Sequence, residues 1–283
     1  MLDGGVGSEL QRVGFPRDRN VGDLWGTVAL FEAPELAQEV HRRYARAGAD
    51  VITTHTWRID GIEPDHRRAT ARFAVELART AAAEEGRPET TIALSLWPEP
   101  VDPGLADELA AAIADAEPDL ILAETAERIP LDLHFPVFER LLGPGIPLWV
   151  SYRWTVDGPP DLRGQGVEPY ADYLQAGDGT LLARAAAVLE ELGVAAMLLN
   201  CLPRELIPGM LPLLRTSTSL PLGVYPNVGT YRDPGWTFDE EVTPETYAAD
   251  AAGWRDVEGA RIVGGCCGTT PEHIAAVVEA LGR

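Results

Sequence analysis

The chain has 283 residues, of which 44 are acidic and 23 are lysine or arginine, leaving a formal net charge of −21. That acidic excess argues against a nucleic-acid backbone as partner, since phosphate binding needs clustered basic groups, and it favours cationic small molecules. Three cysteines, an odd number in this length, are not a disulfide framework and point to a metal site or reactive thiol in a reducing compartment. No apolar run reaches bilayer-spanning length and no leader-like segment opens the chain, so the expectation is a cytoplasmic protein with no membrane contact.

Residues 1–6 read as a short strand breaking at Gly4 and Gly5, with Asp3 at its polar end. Residues 34–48 read as a helix: Leu36, Val40 and Tyr44 recur every four residues, Pro34 suits the start and Gly48 the stop. Then come a strand at 49–56, a helix at 66–85, a strand at 91–97, a helix at 105–116, a strand at 119–125, a helix at 131–142 and a strand at 147–154. The rhythm breaks over 157–179, which is rich in Gly, Pro, Asp and Tyr and longer than most connections; such loops are usually lids or disordered. It resumes with a helix at 180–192, a strand at 195–201, a helix at 203–214 and a strand at 221–227. An open loop to 242, a helix at 244–256, a strand at 261–267 and a helix at 271–281 complete the chain. Strands alternating with helices are parallel, and eight such units close into an α/β fold, a (β/α)8 TIM-type barrel, expected as a single domain over 1–283. The alternative is an open doubly wound sheet. Its dinucleotide-binding form lacks the required Gly-x-Gly-x-x-Gly turn after an early strand.

In such a barrel the carboxyl ends of the strands converge on one mouth. Those positions carry Asp3, His55 to Arg58, Trp97, Glu124, Thr125, Arg153, Trp154, Asn200, Cys201, Asn227, Cys266 and Cys267. Cysteines on the sixth and eighth strands face each other across the seventh, near enough to share an ion. Three thiolates with one open position describe a catalytic zinc site. Adjacent cysteines on a straight strand point to opposite sides; Gly264, Gly265 and Gly268 let the backbone turn both sulfurs to one side. A redox-active vicinal pair and buried cysteines packed as small hydrophobes are the other readings of these residues.

The run Gly264-Gly265-Cys266-Cys267-Gly268-Thr269-Thr270-Pro271-Glu272-His273-Ile274 also resembles the terminal motif of the homocysteine S-methyltransferases, as do Asp3-Gly4-Gly5, Glu124-Thr125, Asn200-Cys201 and Tyr225-Pro226-Asn227. The resemblance spans almost the whole chain. It implies zinc on Cys201, Cys266 and Cys267, with the substrate thiol in the open position attacking a methyl group on a small sulfonium or ammonium donor. It also implies substrate contacts from Asp3, Glu124, Thr125 and Asn200, with Glu124 and Asp3 on the amino group.

Three departures from the family pattern stand out. The third strand runs through Leu94-Ser95-Leu96-Trp97-Pro98-Glu99-Pro100 straight into a helix, where the family has a Gly-Ser-x-Gly-Pro type motif and a long loop. The second strand ends Thr54-His55-Thr56-Trp57-Arg58, in place of a small or amide residue, an aromatic and a glutamine. The fifth carries Arg153-Trp154 and is followed by an insertion at about 158–174, in which Tyr170 and Tyr173 suit a lid. Arg58 and Arg153 suit a carboxylate or phosphate unless they pair with Asp60, Glu99, Glu124 or Asp157. The expected activity is methyl transfer to homocysteine or a related thiol. The alternatives are transfer to an unusual thiol bearing an extra acid read by Arg58 or Arg153, and an inactive zinc-binding barrel acting as a partner subunit.

Overall fold

The computed structural model of the chain describes residues 1–20, 24–98, 102–126, 131–153, 180–232, 235–238 and 242–282. Parallel strands β1 (Val51–Thr53), β2 (Thr91–Leu96), β3 (Leu120–Ala126), β4 (Leu148–Tyr152), β5 (Ala196–Pro203) and β6 (Leu222–Asn227) follow one another in sequence and in space. After β6 comes an antiparallel hairpin, β7 (Gly229–Arg232) and β8 (Gly235–Phe238). Strand β9 (Ile262–Val263) then pairs with β6 and completes a seven-stranded sheet.

The start of the chain bridges the two edges of that sheet. The Leu2 amide donates to Val263 O at 2.9 Å, and the Asp3 amide donates to Val51 O at 3.0 Å. The expected first strand is thus a single bridge, Leu2 to Val51. Gly4 and Gly5 end it, and helix α1 (Val6–Arg12) begins at once. A ring of eight parallel segments results, the TIM-type arrangement. Its strands are near-continuous apolar runs, such as the fully buried Ile121, Leu122 and Ala123, because helices cover one face and the barrel interior lies on the other.

The helices begin where the sequence puts proline. Helices α3 (Pro34–Arg46), after the short α2 (Ala29–Glu32), α4 (Pro64–Glu84) and α5 (Pro103–Ala116) all carry Pro in the first turn, where its missing N–H has no intrahelical partner to lose. Helix α3 buries Ala37, Val40, His41, Tyr44 and Ala45, one face at helical spacing. Helices α6 (Leu131–Leu142), α7 (Thr180–Leu192) and α8 (Ile207–Arg215) follow β3, the 154–179 segment and β5 respectively. Helices α9 (Pro244–Asp256) and α10 (Pro271–Ala280) close the chain. None of the described helices is long and apolar enough to cross a membrane.

Two further expectations change. The loop before 242 contains the β7–β8 hairpin. The last strand stops at Val263 instead of 267, so both following cysteines lie on a turn. The stretch between residue 6 and residue 34, to which the sequence assigned no element, contains α1, a 3-10 turn at Trp25–Val28 and α2. The insertion at 158–174 and Trp154, Tyr170 and Tyr173 lie outside the described residues.

Candidate active site and metal centre

Two strands are deformed where they reach the barrel mouth. The register of β3 against β4 shifts between Ala123 and Ala126, and that of β5 against β6 shifts between Asn200 and Pro203. Inside each shift sits one residue in the left-handed region, Thr125 at φ 65° and Cys201 at φ 51°. This conformation costs a residue with a Cβ about 1–2 kcal/mol, and is rarer still for a β-branched one. Bulges of this kind re-aim side chains. Here the result is that Cys201 joins the cavity while its neighbour Asn200 is buried behind it.

Cys201, Cys266 and Cys267 are all free, and their sulfurs lie within 4.8 Å of one another. The Cys266 and Cys267 sulfurs are 3.9 Å apart. Thiolates at zinc-like bond lengths in a tetrahedral shell sit about 3.8 Å apart, so this donor set fits one soft cation. The electrostatics agree. Hydrogen bonds from Cys266 and Cys267 pull the Cys201 thiol well below its ordinary value, helped by the Arg153 charge and the Asn227 side chain. Cys266 and Cys267 are both driven well up, first by the Cys201 sulfur they bond to, with burial adding to it; the bond between the two raises Cys266 and lowers Cys267. Three sulfurs so close ionise together only with a cation between them.

The turn that carries Cys266 and Cys267 is braced on every side. The Cys266 amide donates to Pro226 O at 2.9 Å, and Cys267 O accepts from the Val228 amide at 3.0 Å. Ser8 Oγ accepts from the Gly268 amide at 3.0 Å, Tyr44 OH donates to Thr269 O at 2.8 Å, and Tyr247 OH donates to Gly264 O at 2.7 Å. Only Gly268 among these glycines has positive φ, at 85°. Gly265 serves close approach instead: a Cβ there would stand 2.2 Å from Thr269 Cγ2. Thr270 caps the start of helix α10, and its amide donates to His273 Nδ1 at 3.2 Å. His273 Nε2 lies 3.0 Å from Val242 O, an acceptor, which assigns the proton to Nε2 and leaves Nδ1 free to accept.

A cavity of about 290 Å³ opens over the cysteines and is also lined by Asp3, Trp25, His55, Trp57, Glu124 and Arg153. Glu124 accepts from Ser95 Oγ and from Tyr225 OH, the latter at 3.3 Å. Burial lifts its carboxyl to about 7, with the neighbouring Cys201 charge adding to the shift. Asp3 is held from behind, accepting from the Thr53 amide at 2.7 Å and from Thr53 Oγ1 at 3.0 Å, while burial pushes its carboxyl well up. Thr125 lines the cavity too. A larger cavity, about 440 Å³, lies at the amino ends of the strands between Arg215, Arg255 and Arg261, and among the described residues no Cys, His, Asp or Glu lines it.

The other two expected substrate residues sit elsewhere. Asn200 is fully buried and bonds Ser151 and Thr125. Arg58 pairs with Asp60 at 3.1 Å, and its guanidinium stacks 4.7 Å from the Trp97 ring. It does not line the cavity; Arg153 does. Sequence reasoning missed Trp25, Ser95 and Ser151. Trp25, at φ 40°, reaches the cavity from a stretch with no readable periodicity. Ser95 and Ser151 lie within apolar strands, where a lone serine carries no signal of what it faces.

The comparisons with known proteins agree with this geometry. The family model described as homocysteine S-methyltransferase matches residues 1–281. The homocysteine S-methyltransferase YbgG of Bacillus subtilis is 32% identical over 310 aligned positions, covering 98% of this chain and 92% of that protein. The selenocysteine methyltransferase of Astragalus bisulcatus is 28% identical, covering 99% and 92%. Both alignments, over 310 and 326 positions, are longer than this chain, so the relatives carry insertions it lacks. Among solved structures, the metallated form of the Escherichia coli homocysteine methyltransferase MmuM superposes with a TM-score of 0.71 at 28% identity, covering 98% of this chain and 94% of that one. With the family model matching residues 1–281 and a relative 32% identical over nearly the full length of both chains, the chain belongs to the homocysteine S-methyltransferase family.

Proposed function

We propose that this enzyme transfers a methyl group from a small sulfonium or ammonium donor to the thiol of homocysteine, with zinc held by Cys201, Cys266 and Cys267. The observation that carries the reading is the clustering of the three sulfurs within 4.8 Å in a cavity that also holds Glu124. Bound there, zinc would keep an incoming thiol as thiolate at neutral pH. The chain's own residues do the rest. Asn227 hydrogen-bonds Cys201 and steadies its sulfur. Glu124, once ionised, suits the ammonium of an amino-acid substrate, and Ser95 and Tyr225 fix the carboxylate for that contact.

The Trp25 and Trp57 rings in the cavity wall suit a cationic methyl donor, because ring faces attract positive charge. Arg58 poses no obstacle to such a donor, since Asp60 pairs with it. A second reading, an acceptor thiol bearing an extra acid, is favoured by one observation: Arg153 reaches the cavity beside the cysteines. The chain is expected to work in the cytoplasm on small molecules, with no nucleic-acid or membrane partner.

The test is an assay of the purified chain with homocysteine and a mixture of S-methylmethionine and betaine, read by mass spectrometry. Methionine formation that Cys267→Ser abolishes is expected. No product from homocysteine, with turnover of a thiol carrying a second carboxylate that Arg153→Ala removes, would replace the first reading by the second.

A further inference from the structure

The cavity of about 440 Å³ at the amino ends of the strands shares no lining residue with the cavity over the cysteines. Three arginines line it, each from a different element. Arg215 ends helix α8, Arg255 lies in the last turn of helix α9, and Arg261 stands just ahead of strand β9. The chain has 44 acids against 23 lysines and arginines, so a wall with three arginines and, among the described residues, no acid is a local reversal of charge. Ala260, Val263 and Leu281 supply an apolar side.

An arginine at a helix carboxyl end often does no more than bond the last carbonyls, and two of the three do so in part. Arg255 donates from Nη1 to Leu281 O at 3.1 Å, and from Nε and Nη2 to Asp256 at 2.7 and 3.3 Å. Arg215 donates from Nη2 to Thr218 O and to Leu220 O, the latter at 2.9 Å, and its charge also reaches Glu190. Neither acid lines the cavity. A guanidinium has five N–H groups. Among the described residues, Arg255 thus has one N–H left on each Nη, and Arg215 has those on Nε and Nη1. Arg261 is different. It belongs to no helix end and is exposed, and among the described residues its guanidinium has no hydrogen bond or ion pair. The cavity therefore presents one whole uncompensated positive charge together with unused N–H groups of two further guanidiniums.

We propose that this cavity is a binding site for a phosphate-bearing small molecule, with Arg261 as its principal contact. Phosphate fits better than carboxylate. Its oxygens are arranged tetrahedrally and accept N–H groups arriving from three elements, whereas the two oxygens of a carboxylate lie in one plane and suit a single fork. The volume falls within the range of small-molecule sites, about 300–1,000 Å³, and exceeds what a bare phosphate fills. Val263 and Leu281 give the organic part of a phosphate monoester an apolar surface to rest on. In a barrel of this type the chemistry belongs to the carboxyl ends of the strands, so an occupant here leaves the cysteines and Glu124 untouched.

Isothermal titration calorimetry of the purified full chain tests this, with inorganic phosphate, adenosine 5′-monophosphate, adenosine and succinate titrated in turn at constant ionic strength. One saturable site is expected for phosphate, the monophosphate or both, with succinate at least about tenfold weaker and adenosine not bound. Tighter binding of the monophosphate than of phosphate identifies an organic phosphate as the ligand class; equal or tighter binding of phosphate identifies the free ion. Arg261→Gln is expected to weaken the bound probe about 10- to 100-fold, the loss of a charged hydrogen-bonding partner, at an unchanged melting temperature. The proposal is overturned if neither phosphate probe binds saturably up to about 10 mM. Succinate or adenosine binding as tightly as the phosphate probes, or Arg261→Gln binding them as the wild type does, overturns it equally. The readout is binding alone, so the outcome is independent of whether the chain transfers methyl groups.

Discussion

Asn200 donates its side-chain amide to Thr125 Oγ1 at 3.0 Å, tying the end of β5 to the end of β3 across β4. Ser151 of β4 closes the triangle, donating from Oγ to Asn200 Oδ1 at 3.0 Å and accepting from the Thr125 amide at 3.3 Å. The two bulge residues held in the left-handed region, Thr125 and Cys201, are thus a partner of Asn200 and its chain neighbour. Asn200 keeps the bulges in place that put Cys201 and Thr125 on the cavity wall.

Replacing Asn200 by Ala leaves Thr125 and Ser151 each short of a buried partner, which costs about 1–3 kcal/mol. Asn200→Ala is therefore expected to lower the melting temperature and to weaken metal retention, because Cys201 loses its fixed placement. A raised homocysteine KM with unchanged melting temperature and metal content would instead make Asn200 a substrate contact.

Gly265→Ala puts a methyl group 2.2 Å from Thr269 Cγ2, inside a turn held by hydrogen bonds to Pro226, Val228, Ser8, Tyr44 and Tyr247. Overpacking of this kind typically costs 1–3 kcal/mol. The expected outcome is a folded chain with reduced metal content, and the double variant Gly265→Ala/Thr269→Gly should recover part of it by removing the three Thr269 atoms that a Cβ would meet, Cγ2, Cβ and Oγ1. Circular dichroism with metal analysis checks both.

Glu124 predicts a pH dependence of stability. Burial raises its carboxyl from the ordinary 4.5 to about 7, so between those values the folded chain binds a proton that the unfolded chain releases. Stability from this group is full below about 4.5 and is lost as the pH rises through 7, on the order of 3 kcal/mol. Denaturant titrations of metal-stripped protein at pH 5 and pH 8 should show a larger loss in the wild type than in Glu124→Gln. Homocysteine binding should move the other way, tightening through pH 7 as the carboxylate forms. An identical pH slope in the two proteins would contradict the assignment.

The cysteine motif was legible because its glycines, Thr270 and Pro271 announce a turn into a helix, and because barrel alternation brings Cys201 to the same mouth. Gly264 and Gly265 matter for a different reason than flexibility, since what they make room for is Leu2 and Thr269, which sequence spacing does not reveal. For Arg58 the sequence left two readings open, a ligand contact or a pair with Asp60, and the structure shows the pair together with a stack on Trp97, which side-chain direction decides and position at a strand end does not. The buried pair of His41 with His55, 14 residues on, carries no sequence signal, because nothing in the spacing shows which helix residue meets which strand end. The β7–β8 hairpin escaped because its Gly- and Pro-containing sequence reads as loop, and two short strands carry too little alternation to be told apart from it.

The most direct test of the three-sulfur site is the metal content of the purified wild type and of Cys201→Ser, measured by inductively coupled plasma mass spectrometry beside their melting temperatures. One zinc per wild-type chain is expected, falling to a small fraction in Cys201→Ser with the barrel still folded. Full zinc retention in the double variant Cys266→Ser/Cys267→Ser, or a wild type that transfers methyl groups after complete metal removal, would contradict it.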